Sequence, residues 1–324
     1  MTQETYIIGH KNPDADAICS AIAYAALKNA TGAPGRFIPA RCGNSNARID
    51  AILRRFKQPL PEFHGDMAPR VGDIMRTSIV KASYDGTCGE ALERIDEHDV
   101  RALPVVDADN RLKGLVSIFS LGEFFIPKPQ EPRKMRHGHT RITDIVRVLG
   151  AEPLHLHEPD RLEDLYVRVG AMDLRSFGKF TDSEGILPGS SIIVVGDRYD
   201  VQQKAIQSGC RVLVVTGNLE VDRDVVQMAR ERGVCIIVSP WDSASTSWIV
   251  RSATLLAPMV STDVQRFSAE DRLSDVRRRV ARTYSPLYCV VDDHGCLIGV
   301  VSKTDLFRAC GKRLILVDHN ELGQ

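Results

Sequence analysis

No long apolar run occurs in this chain. Its most hydrophobic stretches, such as Ile192–Val195, fall far short of the ~20 residues that cross a bilayer, which argues against a membrane protein. The opening residues MTQETYIIGHK have neither the basic start nor the apolar core of a secretory signal, so a cytoplasmic location is expected. There is no excess of either charge. Lys+Arg and Asp+Glu are 42 each, which argues against a general electrostatic nucleic-acid binder. No CxxC pair occurs among the eight cysteines, which weakens zinc-ribbon and thioredoxin-like readings. Most lie in apolar runs, as Cys235 does in VCIIV, and buried, reduced thiols are expected. The chain does have a globular composition, 43% hydrophobic and 26% charged over 324 residues, enough for two or three domains.

The start reads as strand, turn, helix: an apolar run at residues 6–8, a polar turn over 9–16, and a helix over 17–30 with Ile18, Ile22, Ala25 and Ala26 on its apolar positions. A second strand is expected at 37–40 and a second helix at 47–56. This βαβα order implies a parallel sheet, which needs more strands than two. The Pro- and Gly-containing region after Pro59 reads as an exit from the domain.

An internal repeat organises the remainder of the chain. PVVDADNRLKGLVS (104–117) and CVVDDHGCLIGVVS (289–302) match at a constant offset of 185, with Asp107 on Asp292, Gly114 on Gly299 and Ser117 on Ser302. Each copy reads strand, Asp-containing turn, strand, short helix, and comes after a helix-patterned stretch (87–98 and 269–281). These units resemble CBS domains, which pair to form a nucleotide-binding module. Between them, a Pro-rich basic segment near 127–139 reads as a linker, and His137-Gly138-His139 and His155-Leu156-His157 read as solvated. Strands at 190–195, 211–215 and 234–238 alternate with helices at 201–208 and 221–232. Asp197-Arg198 with Thr216-Gly217-Asn218 resembles the motif of the DRTGG domain. Asn218 stands where that family has Gly, and Asn tolerates the left-handed backbone such a turn requires.

The final residues, RLILVDHNELGQ, begin with a short apolar run suited to a buried parallel strand, with Asp318 at its carboxyl end. They read as the return of the first domain. The opening turn holds His10, Asp14 and Asp16, a mixed nitrogen and oxygen set suited to borderline divalent metals. In a doubly wound sheet, active residues gather at the carboxyl ends of strands, so Asp318 is expected beside them. The bland alternative is that Asp14 or Asp16 only caps the adjoining helix.

GHKNPDADAICSAIAYA and LVDHNELGQ resemble the first two metal-site motifs of the family II inorganic pyrophosphatases of the DHH superfamily, in the sub-family with inserted CBS and DRTGG domains. The resemblance implies that His10 and Asp14 bind one metal and Asp16 the other, with Asp318 bridging or completing the pair. It also implies Mn²⁺ or Co²⁺ in the site, Mg²⁺ on the substrate, and pyrophosphate as the substrate. His319 is expected to support the strand end, with Asn320 and Glu321 outside the ligand set. The family's Asp-His-His motif and basic substrate-binding residues do not occur after Gln324, so this chain is expected to hydrolyse pyrophosphate poorly by itself.

In nucleotide-binding CBS domains a Thr or Ser followed by Asp takes the ribose hydroxyls. The resemblance implies such a site at Ser302, Lys303, Thr304 and Asp305, with Lys303 near a phosphate and Pro104 and Pro286 beside the adenine. The first repeat has Ser120 in place of the aspartate. AMP, ADP or a diadenosine polyphosphate is the expected regulator, and a homodimer through the CBS and DRTGG domains the expected assembly, with no nucleic-acid or membrane partner. The expected fold class is α/β: a partial DHH-type parallel-sheet domain (1–66 and 313–324) interrupted by a CBS pair (67–126 and 258–312) with a linker and nested α/β DRTGG domain (127–257). A non-catalytic adenine-nucleotide sensor is the competing reading. An exonuclease of the same superfamily fits the zero net charge and the insertion less well.

Overall fold

In a computed structural model, residues 4–66, 68–126, 130–131, 134–171, 185–308 and 313–317 are described. The chain divides into two compact units, one of residues 1–79 with 265–324 and one of residues 80–264.

The first unit opens with β1 (Glu4–Ile8), α1 (Ala15–Ala30), β2 (Arg36–Arg41) and α2 (Ala47–Arg55). Asp14 starts α1: its Oδ1 accepts from the Ala17 N–H at 2.8 Å. Asn29 binds the backbone of Phe37 in both directions, at 2.8 and 3.0 Å, and so fixes the step from α1 into β2. Helix α1 buries Ala21 and Ala25 against Ile7, and Ile18 against Ile49 and Leu53 of α2. A two-residue strand β3 (Glu62–Phe63), not foreseen in the sequence, pairs with β2.

The returning strand is present. β16 (Arg313–Leu316) lies parallel to β1 in the register Ile8 to Leu316, and the Val317 N–H donates to the Ile8 carbonyl at 2.8 Å. The sheet order is β16-β1-β2-β3. The nested topology thus accounts for the strands that the first sixty residues lack.

The second repeat occupies the same unit: β13 (Arg266–Phe267), α9 (Leu273–Val280), β14 (Tyr288–Val291), β15 (Leu297–Val301) and α10 (Lys303–Arg308). In its hairpin, Asp292 Oδ1 accepts from the His294 and Cys296 N–H groups at 3.0 and 2.8 Å. In the first repeat Asp107 does the same for Asp109 and Arg111, at 3.1 and 2.9 Å. This shared turn chemistry explains the aspartate common to both copies.

The second unit holds the first repeat: β4 (Ala82–Ser83), α3 (Cys88–Glu97), β5 (Ala102–Val106), β6 (Leu112–Ser117) and α4 (Ile118–Phe125). The segments that precede the two repeats are exchanged. Val71 is buried with Phe267, Leu273 and Tyr288 of the second repeat, and Arg76 bridges Val300. Leu256 is buried with Leu103 and Val116 of the first repeat, and Ser261 bridges Leu115. Residues 71, 76 and 115 shift to 256, 261 and 300 by the same offset of 185, so the repeat extends into these segments.

The rest of the second unit is a six-stranded sheet, ordered β7-β9-β10-β11-β12-β8. Its strands are β7 (His137–Thr140), β8 (Glu152–His155), β9 (Glu163–Val169), β10 (Ser191–Val195), β11 (Val212–Val215) and β12 (Cys235–Val238). β9 to β12 run parallel, and β7 and β8 are antiparallel edges. Helices α5 (Ile142–Leu149) and α8 (Ser243–Ser252) share one apolar cluster with the sheet, and α6 (Tyr199–Gln207) and α7 (Arg223–Arg232) the other. Burial on both faces explains the unbroken Val and Ile runs of β10, β11 and β12. The expectation of a linker near 127–139 is corrected by the structure: His137 onward is a sheet edge, because its backbone pairs with β9.

Among the described residues seven cysteines are free, and burial pushes the Cys88, Cys210 and Cys289 thiols up to about 12. Among the same residues no helix is long and apolar enough to cross a membrane.

The exchanged contacts differ in stiffness. A Cβ on Gly114 would lie 2.2 Å from the Ser261 carbonyl oxygen, whereas one on Gly299 would first meet the Met75 sulfur at 2.5 Å. Backbone cannot step aside, but a methionine side chain can. Gly114→Ala is expected to cost about 2 kcal/mol and Gly299→Ala less than half of that; urea unfolding of the two variants checks the order.

Candidate functional site

The loop after β1 is held by close packing. A Cβ on Gly9 would lie 2.7 Å from Ala17 Cβ, and one on Gly43 would lie 2.4 Å from both the Lys11 carbonyl oxygen and Pro13 Cδ. Glycine at these positions brings the loops together and fixes residues 10–14. His10 Nε2 stands 3.6 Å from Asp14 Oδ1, with the imidazole more sheltered than the carboxylate. Asp16 comes next, in the first turn of α1, and is exposed. Asp14 therefore does cap the helix, as the bland reading held, and the same oxygen also faces His10.

The described strand β16 ends beside this loop, through the bond from Val317 to Ile8. Asp318, His319, Asn320 and Glu321 lie outside the described residues. Among the described residues no group of three or more His, Cys, Asp or Glu side chains is gathered to hold a metal. The His10–Asp14 pair is close enough to share one ion, and its imidazole and carboxylate suit Mn²⁺ or Co²⁺. The described residues thus fit part of a donor set.

In the second repeat the Asp305 carboxylate is already engaged. Its Oδ2 accepts from the Ser302 N–H at 2.9 Å and the Ser302 hydroxyl at 2.7 Å, and its Oδ1 accepts from Arg76 Nη2 at 2.9 Å. The Asp305 N–H donates back to Ser302 Oγ at 3.1 Å, completing a capping box on α10. Burial pulls this carboxyl upward, but the hydrogen bonds from Ser302 and Arg76 outweigh it and hold it below the usual carboxylate value. Lys303 Nζ donates to the Thr283 carbonyl at 3.1 Å, and Thr304 is exposed.

Ser120 of the first repeat occupies the corresponding place: its Oγ accepts from the Ser117 N–H at 3.0 Å, without a charge. Pro104 and Pro286 are not equivalent. Pro104 is buried inside β5, while Pro286 is exposed in the loop before β14. Arg76 escaped the sequence reading, since it lies 229 residues from Asp305 in a segment with little local resemblance to its repeat counterpart.

In the second unit, Asp197-Arg198 and Thr216-Gly217-Asn218 lie just beyond the carboxyl ends of the adjacent strands β10 and β11. The Thr216 side chain is buried, within 3.0 Å of Ser243 Oγ. The Gly217 and Asn218 N–H groups donate to the Trp241 and Ser239 carbonyls at 2.8 and 3.0 Å, which ties this turn to the exit of β12. Both residues are left-handed, Gly217 at φ +77° and Asn218 at φ +56°. Arg198 Nη2 donates to Asp200 at 2.9 Å. His137 and His139 both reach Asp164 Oδ1, at 2.9 and 3.0 Å.

Comparison with known proteins agrees with this division. Residues 144–253 match the DRTGG domain, and residues 71–122 and 256–312 match the CBS domain. The chain carries a DRTGG domain between two CBS domains. It is homologous to metal-dependent inorganic pyrophosphatases. It is 29% identical to the cobalt-dependent inorganic pyrophosphatase of Clostridium perfringens, over 100% of this chain and 58% of that protein. It is 25% identical to the probable manganese-dependent inorganic pyrophosphatase of Thermotoga maritima, over 99% of this chain and 57% of that one. The chain therefore spans little more than half the length of these curated relatives. The crystal structure of the CBS and DRTGG domains of the Clostridium perfringens pyrophosphatase regulatory region, complexed with its activator diadenosine tetraphosphate, superimposes with a TM-score of 0.62. The match covers 72% of this chain and 99% of that one at 23% identity, a likeness of fold.

The two roles of Asp14 separate by substitution. Without metal, Asp14→Ala is expected to lose about 1 kcal/mol with the cap, while Asp14→Asn keeps it. With Mn²⁺ the parent chain is expected to gain thermal stability, and both variants to lose that gain. Thermal melts with and without Mn²⁺ measure both effects. Equal melts of the two variants without metal would remove the cap, and a metal-dependent gain retained by Asp14→Asn would remove the ligand.

Proposed function

We propose that this chain belongs to a nucleotide-regulated system for hydrolysis of inorganic pyrophosphate, with an adenine-nucleotide site in the second CBS repeat and part of a two-metal site on the loop after β1. The observation that carries the metal-site reading is the pairing of β16 with β1, which supports a common site for the His10–Asp16 loop and Asp318. The ions proposed are Mn²⁺ or Co²⁺ in the site, held by His10, Asp14, Asp16 and Asp318, with Mg²⁺ on the substrate. Such ions, when bound, lower the pKa of water and neutralise phosphoryl oxygens. This chain's own contribution is to hold His10 and Asp14 in one tight loop, with the carboxylate fixed by the start of α1. The free buried thiols suit a reducing, cytoplasmic location.

For the nucleotide, AMP, ADP or a diadenosine polyphosphate, the ribose hydroxyls take Asp305 Oδ1 from Arg76. Asp305 Oδ2 stays on Ser302, so the carboxylate keeps its orientation during the exchange. Arg76, then freed, meets a phosphate together with Lys303, while Thr304 and Pro286 lie along the rest of the ligand. A homodimer through the CBS and DRTGG domains is the proposed assembly.

Calorimetry with AMP on the parent chain and on Asp305→Ala tests the nucleotide site. Loss of a hydrogen bond to a charged group is worth about 1.5–3 kcal/mol, so binding is expected to weaken about tenfold or more. Equal affinities, or no heat with any adenine nucleotide, would overturn it.

A further inference from the structure

The second unit contains a cavity of about 540 Å³, lined by residues that neither the metal-site nor the nucleotide reading uses. Its volume falls within the roughly 300–1,000 Å³ of small-molecule sites. Three helices enclose it. Gly89, Glu90 and Glu93 come from α3, residues 147–150 from the end of α5, and Ile249 and Ser252 from α8. Trp241, just before α8, forms the remaining wall. A Cβ on Gly89 would lie 3.0 Å from Ser252 Oγ, so glycine at this position lets α3 approach α8 closely.

The indole of this wall is fixed. Its ring N–H donates to the Leu149 carbonyl at 3.1 Å, the Trp241 backbone N–H donates to Ser239 Oγ at 3.2 Å, and the Trp241 carbonyl accepts from the Gly217 N–H at 2.8 Å. Trp241 is still 48% accessible, so an aromatic surface of set orientation is left open along the cavity. The charges of the lining favour a cation. Arg147, its basic residue, is already balanced twice: Nη1 donates to Glu90, and Nη2 donates to Asp144 at 2.7 Å. Glu93 is exposed and makes no hydrogen bond or ion pair among the described residues. The carbonyl end of α5 adds partial negative charge. A phosphate would meet no uncommitted cation here, whereas an ammonium meets a free carboxylate and an aromatic face.

We propose that this cavity binds one primary ammonium end of an alkyl polyamine. The ammonium lies over the Trp241 face and against the Glu93 carboxylate, which combines cation–π attraction with a charge-assisted hydrogen bond. The methylenes lie along Val148, Leu149 and Ile249, as the apolar stem of a lysine covers an apolar surface. A second carboxylate selects a polyamine over a monoamine. Glu93 also lines an adjoining concavity of about 450 Å³, and Glu97, one helical turn further, lines the same one. Four residues advance α3 by about 6 Å, and an aminobutyl chain separates its two nitrogens by about the same distance. A second ammonium therefore reaches Glu97. This site is independent of the nucleotide and metal sites, and the failure of either would leave it standing.

The test is calorimetry at low ionic strength on the full 324-residue chain, with spermidine and butylamine as probes. The chain has two tryptophans, so a Trp248→Phe background makes Trp241 the reporter of a parallel fluorescence titration. Spermidine is expected to bind and to change the Trp241 emission. Glu93→Gln is expected to weaken it about tenfold, and Trp241→Leu about fivefold. Glu97→Gln is expected to weaken spermidine and to leave butylamine, which has no second ammonium, unchanged. Circular dichroism melts check that each variant keeps its fold, and Trp241→Phe, which retains an aromatic face, is expected to retain most of the affinity. No binding of spermidine by the parent chain, or binding that Glu93→Gln and Trp241→Leu leave unaltered, overturns the site. Equal sensitivity of spermidine and butylamine to Glu97→Gln overturns the polyamine as its ligand.

Discussion

The parallel sheet of the first unit depends on one backbone pairing, β1 with β16. Without it β1 would be an open edge, with a row of unpaired N–H and C=O groups. The partner strand arrives about three hundred residues later, after both repeats and the six-stranded sheet. Such a closure is affordable because the entropic cost of a loop grows only with the logarithm of its length, and because the intervening chain has folded cores of its own. The consequence is functional: the loop that holds His10 and Asp14 and the last described residue, Val317, meet at the same end of the same sheet.

A second long-range device is the exchange of the segments that precede the repeats. Val71 completes the core of the second repeat, and Leu256 that of the first. One result is that Arg76, which enters with the exchanged segment, reaches Asp305. The matching positions in the first repeat hold Ser261 and Ser120, so the charged pair exists in one repeat alone. Duplication has kept the architecture, with its Asp107 and Asp292 turns, while the polar chemistry on it has diverged.

How much of this was legible in the sequence depends on whether the signal was local. β1, α1, β2 and α2 have clear periodicity, and β10 to β12 are short Val and Ile runs between turns, so their places could be read within a few residues. β16 could be read because an apolar run stood where the second repeat had no further use for it. The edge strands β7 and β8, HGHT and EPLH, are polar and lie at the margin of the sheet, where half their surface is not buried; they resemble loop. The serine-rich α8 was passed over although Asp242 caps it, with bonds to the Ala244 and Ser245 N–H groups at 2.8 and 3.0 Å. The exchanged segments gave no signal, since Val71 and Leu256 find their cores through contacts more than a hundred residues away. Of the site, the aspartates could be named from their motifs, but the engagement of Asp305 by Arg76 could not.

The nucleotide motif and the metal loop share one compact unit, and only residues 309–312 stand between α10, which Asp305 caps, and β16. We propose that a nucleotide at Asp305 acts on the His10–Asp16 loop, which lies in the same unit. Hydrogen exchange over residues 4–17, measured with and without saturating AMP, addresses it most directly. Altered protection in the loop and in β1 is expected when AMP binds, and no such change in Asp305→Ala. AMP bound with full occupancy and exchange over residues 4–17 unaltered would contradict it.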